Sequence, residues 1–131
     1  IKVGGYNVSK NYEKYLNELL DYHEKNNVLG AIKKHELIKG DVSSTAPKYF
    51  KENEGVIIAL AYFDMALYEP TKIAFNSIKP HLIPGSILML DEFNNNQYPG
   101  ETIAFKEVFK DKKYKVQLSK YVTDRTFIIF E

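Results

Sequence analysis

Three acids stand where this 131-residue chain could do chemistry. Asp64 closes the apolar run Val56 to Phe63, and Asp91 with Glu92 closes a second run, Ser86 to Leu90. Like charges share a small space only when a cation joins them, and hard oxygen ligands suit Mg²⁺, Mn²⁺ or Ca²⁺ rather than a tight zinc site. The same acids could equally cap a following helix or solvate a loop. Asp41, in the pair Gly40-Asp41, could offer one carboxylate to an amine or hydroxyl of a ligand, or simply turn the chain. His23, His35 and His81 are scattered and read as satisfied or exposed residues, not as members of a triad. Tyr12, Tyr15, Tyr62 and Tyr68 read as packing residues with a polar tip. The polar stretch Asn94 to Gly100 follows Asp91-Glu92 directly, either as a surface loop or as a lid.

The elements that must position these acids are legible in the hydropathy pattern. Tyr12, Tyr15, Leu16, Leu19, Leu20 and His23 recur at helical spacing behind Ser9, predicting an amphipathic helix from Lys10 to about Lys25. A short strand from His35 to Lys39 leads into Gly40-Asp41, and Ser44 or Thr45 caps a short helix with Pro47 in its first turn. Val56 to Phe63 is apolar without alternation, the pattern of a strand covered on both faces of a parallel sheet. A helix from Pro70 to about Leu82 turns Ile73, Ala74, Ser77, Ile78 and Leu82 inward, with Pro80 distorting its last turn and Pro84-Gly85 ending the connection. The second buried strand runs from Ser86 to Leu90, and a helix covers about Thr102 to Phe109. Strands near Lys115 to Val122 and Thr126 to Phe130 are separated by Thr123-Asp124-Arg125, too short for a crossover, so they pair antiparallel. This order is α/β, and in open α/β sheets ligands lie beyond the carboxyl ends of the strands. Neighbouring parallel strands spaced by about 4.8 Å would bring Asp64, Asp91 and Glu92 together.

Composition narrows the partners. The 18 Lys+Arg balance 17 Asp+Glu to a net charge of +1, and the lysines are dispersed, which leaves no basic track for nucleic acid or an anionic membrane. Absence of cysteine rules out a disulfide framework, a thiolate metal site and a Cys nucleophile, and fits a reducing, cytoplasmic setting. The longest apolar run falls far short of the roughly 20 residues that span a bilayer.

An ordered set of strings carries a family resemblance: Gly40-Asp41; Phe63-Asp64-Met65-Ala66-Leu67-Tyr68-Glu69-Pro70-Thr71; Lys79-Pro80-His81-Leu82 with Pro84-Gly85-Ser86; Asp91-Glu92; and Pro99-Gly100-Glu101-Thr102. Together they resemble the carboxyl-terminal part of class I S-adenosylmethionine-dependent O-methyltransferases, closest to the macrocin O-methyltransferase (TylF-like) family. The resemblance implies a Rossmann-like, mostly parallel sheet with an antiparallel carboxyl-terminal hairpin, a divalent cation, usually Mg²⁺, and a sugar or other hydroxyl acceptor. Carried over by position, Asp64, Asp91 and Glu92 would hold the metal, Asp64 would serve the chemistry at the acceptor, and Asp41 would lie near the cofactor's adenine. The family pattern Asp-x-Asp-Leu-Tyr is broken here by Ala66. A Gly-rich cofactor loop has no counterpart either, since Gly4-Gly5 lacks a buried strand before it. These gaps, with Ile1 in first place, set the expectation that about two βαβ units of the fold lie outside this chain. Two other expectations remain: a non-catalytic domain that oligomerises through an exposed sheet edge, and an Mg²⁺-dependent phosphoryl-transfer domain, for which no phosphate loop is visible.

Overall fold

A computed structural model describes residues 8–122 and 125–131. Gly4-Gly5, Thr123 and Asp124 therefore lie outside the described residues. The chain divides into two compact units, Ile1–Lys39 and Gly40–Glu131.

In the first unit one helix, α1 (Tyr12–Lys25), begins two residues later than Lys10. Its N-cap is Asn11 in the left-handed region, φ 64°, in place of Ser9; asparagine tolerates that conformation better than most residues. Asn26 ends it, its side-chain amide donating to the Tyr22 carbonyl. His35 to Lys39 forms no strand, contrary to the expectation. An isolated strand gains no ladder hydrogen bonds, so β-propensity alone does not make one.

The second unit opens with α2 (Val42–Glu52), capped by Asp41, whose carboxylate accepts from the Ser43 N–H at 2.8 Å. The cap therefore precedes Ser44 and Thr45, and Pro47 falls inside the helix instead of in its first turn. β1 (Ile58–Phe63) and β2 (Leu82–Leu90) are parallel neighbours, with Phe63 opposite Leu90. Between them runs α3 (Tyr68–Ile78), which starts before Pro70, where a first-turn proline sacrifices no helical bond. Lys79–His81 tightens into a 3₁₀ turn around Pro80. Pro84-Gly85, expected in a connection, lies within β2 at a register break, where Ile58 opposes Leu82 but Leu60 opposes Ile87. Ser86 bridges that break: its hydroxyl donates to the Ile58 carbonyl at 2.6 Å and accepts from the Ile83 N–H at 2.9 Å.

α4 (Gly100–Val108) leads to β3 (Tyr114–Leu118) and β4 (Thr126–Phe130), an antiparallel hairpin. The sheet order is β1-β2-β4-β3, a mixed sheet with helices, matching the expected fold class. Its core gathers Phe63, Leu88, Leu90, Ile128 and Phe130 from the strands against Phe75, Ile78, Phe105 and Phe109. The rings of Phe75, Phe105 and Phe109 lie 5.1–6.2 Å apart at tilted or edge-on angles, the arrangement that aromatic quadrupoles favour. The two-sided burial expected for β1 is not observed, since Leu60 and Tyr62 remain 59% and 50% exposed. Among the described strands β1 has a single neighbour, so its other flank is open. No described helix is long and apolar enough to cross a membrane.

Candidate functional site

The loops after β1 and β2 meet at one end of the sheet, and a buried glutamate joins them. After Phe63 the chain turns through Asp64, Met65, Ala66 and Leu67, with Ala66 at φ 57°. A non-glycine residue in that region stores roughly 1–2 kcal/mol, so something must hold it. Glu101, wholly buried at the start of α4, does so: one carboxylate oxygen accepts from the N–H of Met65 at 3.1 Å and of Ala66 at 3.3 Å. Its other oxygen accepts from the N–H of Glu92 at 3.1 Å, beyond β2. Burial raises the Glu101 carboxyl above its ordinary range, opposed by these three N–H groups, while the charge of Asp91 adds to the rise. Gly100 is demanded by the same junction, because a Cβ there would stand 2.4 Å from the Ala66 carbonyl oxygen and 2.6 Å from the Tyr68 nitrogen.

Asp91 continues the β1–β2 ladder, its N–H donating to the Phe63 carbonyl at 3.0 Å. Its side chain, 11% exposed, accepts from the Tyr62 hydroxyl at 2.7 Å and pairs with the Arg125 guanidinium at the start of β4. The hydrogen bond to Asp91 is the largest cause that pushes the Tyr62 phenol up to about 12. Burial and the charges of Asp91 and Asp64 add to it, against Arg125. Tyr62 is thus a fixed donor at neutral pH, and Asp64 lies near enough for its charge to be felt there.

Glu92 accepts from the Asn95 side-chain amide at 2.5 Å. The loop beyond is tied down by its own contacts: the Asn94 N–H donates to the Thr102 hydroxyl at 2.6 Å, and the Asn95 side-chain oxygen accepts from the Gln97 N–H at 2.8 Å. Asp41 sits at a separate place as the exposed N-cap of α2, one oxygen engaged by Ser43 and its carbonyl accepting from Ser44 and Thr45 hydroxyls.

The oxygen-only character of Asp64, Asp91 and Glu92 suits a hard divalent cation. In the arrangement described, Asp91 and Glu92 are engaged by Tyr62, Arg125 and Asn95. Among the described residues the set of three whose ligand atoms all lie within 4.8 Å of one another is a different one, Asp21, Glu24 and His35, in the first unit.

Comparison with solved structures places this arrangement. The chain superposes on CalS11, a calicheamicin methyltransferase, with a TM-score of 0.83 and 38% identity, over 93% of this chain and 48% of that one. The sheet and its strand-end loops are a portion of a methyltransferase fold. An apo structure of CalS11, described as a TDP-rhamnose 3'-O-methyltransferase in calicheamicin biosynthesis, matches with a TM-score of 0.84 and 39% identity, over 93% of this chain and 54% of that one. The methyltransferase resemblance carried by the sequence strings is thereby shown, and the chain spans about half the length of these O-methyltransferases. No family model and no curated protein matches it.

Three residues of this methyltransferase portion escaped the reading of strand-end acids. Glu101 was visible inside Pro99-Gly100-Glu101-Thr102, but a glutamate in a first helical turn ordinarily signals a solvated charge favoured by the helix dipole. Tyr62 read as packing, and Arg125 entered as one cation of 18 and as the end of the connection Thr123-Asp124-Arg125, with no role at the site. The signal available for Arg125 was its position in a short hairpin connection that returns beside β2.

Proposed function

We propose that this chain supplies the carboxyl-terminal part of an S-adenosylmethionine-dependent O-methyltransferase acting on a hydroxyl of a sugar. The observation that supports this most is the match at 38–39% identity to half of a TDP-rhamnose O-methyltransferase, over 93% of this chain. The adjacent ends of β1 and β2, joined by Glu101, furnish the acidic site that such a reaction needs.

Asp64, Asp91 and Glu92 would hold a divalent cation, and a bound cation supplies acidity and orientation to the acceptor hydroxyl. Asp64, at the end of β1, is the residue to which we assign the acceptor proton. Tyr62 and Arg125 fix the Asp91 carboxylate so that it does not swing toward solvent. Positioning of this kind is worth more than any new contact, because in-line attack on a sulfonium methyl demands reacting atoms about 3–3.5 Å apart. Asp41, exposed at the α2 N-cap, would face the amine of the adenine.

The test is binding of labelled S-adenosylmethionine, with and without Mg²⁺, by this chain and by any longer polypeptide of which it is a part. We expect the polypeptide to bind the cofactor and to methylate TDP-rhamnose, and Asp64→Asn to remove most of the turnover while cofactor binding persists. Absence of cofactor binding in both forms would sink the methyltransferase assignment; a fully active Asp64→Asn would sink the role of Asp64 alone.

A further inference from the structure

The first unit contains a donor set that the methyltransferase reading does not use. Asp21 and Glu24 stand three residues apart on α1 and so share a face of the helix. His35 is returned to that face by the segment 26–34, and the ligand atoms of the three residues lie within 4.8 Å of one another. His35 Nε2 is 3.4 Å from Asp21 Oδ1, and Nδ1 is 3.2 Å from Glu24 Oε2.

Both ring nitrogens of His35 are buried and face the Asp21 and Glu24 carboxylates at ion-pair distance. A ring with each nitrogen turned to a carboxylate sits in a nitrogen-and-oxygen donor set of the kind a divalent cation joins. The returning segment is rigidly pinned. The Lys34 ammonium donates to the carbonyls of Val28 at 2.8 Å and Leu29 at 2.9 Å, the Lys34 N–H donates to Glu24, and the Ile32 N–H donates to the Leu29 carbonyl at 2.9 Å. Gly30 permits the close approach, since a Cβ there would stand 2.5 Å from the Lys25 carbonyl oxygen.

We propose that Asp21, Glu24 and His35 form a binding site for a divalent transition-metal ion, with Zn²⁺ or Co²⁺ as the fitting chemistry. The carboxylates alone would suit a hard cation, and the imidazole, a borderline ligand, tips the set toward these ions over Mg²⁺. In a four-coordinate site with bonds of about 2.1 Å, adjacent ligand atoms lie about 3.4 Å apart, the separation already present between Nε2 and Asp21. Glu24, at Nδ1, either closes the coordination sphere with a small rotation or fixes the ring's orientation from behind, and carboxylates behind a ligating histidine strengthen binding about 10–100-fold. Water completes the remaining positions. The proposal does not rest on the function of the acids after β1 and β2.

The test uses the full chain titrated with Zn²⁺ in excess Mg²⁺, read by imidazole NMR, in which His23 and His81 act as internal references. We expect the His35 ring signals to shift at one equivalent while the other two histidines stay unmoved. We also expect Co²⁺ uptake to fall by one equivalent in His35→Gln and its affinity to fall at least tenfold in Asp21→Asn. Should either variant fail to fold by circular dichroism, the signals of the unaltered protein decide. Unmoved His35 signals, equal shifts of all three histidines, or metal uptake unchanged by His35→Gln would each overturn the site, leaving His35 as a ring packed between two acids.

Discussion

Two buried carboxylates lie at the same end of the sheet, and the protein satisfies them in opposite ways. Glu101 is wrapped in backbone N–H groups from the turn after β1 and the loop after β2, with no cation among its partners in the described hydrogen bonds and ion pairs. Asp91 meets a guanidinium and a phenol, both side chains that can move. Neutral backbone dipoles fixed by the fold hold a shape, whereas a side-chain partner can be exchanged for a ligand. Glu101 thus behaves as part of the scaffold, and Asp91 as part of what the scaffold presents.

The largest effect expected from that contrast is on stability. Glu101→Ala would leave three buried or half-buried N–H groups without an acceptor and release a turn that holds Ala66 in the left-handed region, at a cost of about 3 kcal/mol. Urea unfolding reads it directly, and a loss under about 1 kcal/mol would remove Glu101 from the scaffold. Its pH signature has a definite sign. The folded carboxyl is raised above its unfolded value, so the native state holds the proton more tightly. Its contribution to stability is therefore complete below the unfolded pKa and declines as pH rises through the folded one. Glu101→Gln should flatten that decline, and an unchanged slope would show that the proton lies elsewhere.

Asp91→Ala is the next largest. It removes the carboxylate that pairs with the Arg125 guanidinium, which is about a quarter exposed, at a cost of about 1–2 kcal/mol once partial solvation is allowed. The double variant with Arg125→Leu should recover part of this loss, because the guanidinium that Asp91 balanced is then gone as well. If Asp91 is presented for chemistry, the double variant recovers stability while methyl transfer stays lost. Recovery of both would make the pair a structural bridge like Glu101.

How much of this was readable in advance differs between the same two residues. The strands that carry Asp64, Asp91 and Glu92 were legible because unbroken apolar runs ended by acids leave few alternatives at their lengths. Their adjacency followed from the helix between them, and the hairpin of β3 and β4 from a connection too short for anything else. Glu101 was not legible as a buried group, since its role depends on N–H groups 9 and 35–36 residues away, which no local pattern encodes. Pro84-Gly85 misled for a related reason: breakers usually punctuate, but here the parallel partner tolerates a register break that Ser86 bridges. His35 to Lys39 had strand composition without a partner strand. Asp41 remained ambiguous in type, as a cap and a ligand-facing carboxylate use the same oxygen chemistry.

The smallest effect sharpens the comparison most finely. Tyr62 is half exposed, so replacing it by Phe should cost under about 1 kcal/mol, the net worth of one hydrogen bond to a charged acceptor diluted by solvent. Ultraviolet titration should nevertheless detect it: among 10 tyrosines, the one pushed up to about 12 should vanish from the end of the tyrosinate curve in Tyr62→Phe. The phenol's bond to Asp91 is present below the ordinary tyrosine pKa and lost as pH rises through about 12, so at neutral pH the variant differs from the unaltered protein only by that donor. A methyl-transfer rate that falls well beyond the small stability change would then mark Tyr62 as a positioning residue for Asp91. An unchanged rate would mean that Arg125 alone suffices to fix the carboxylate.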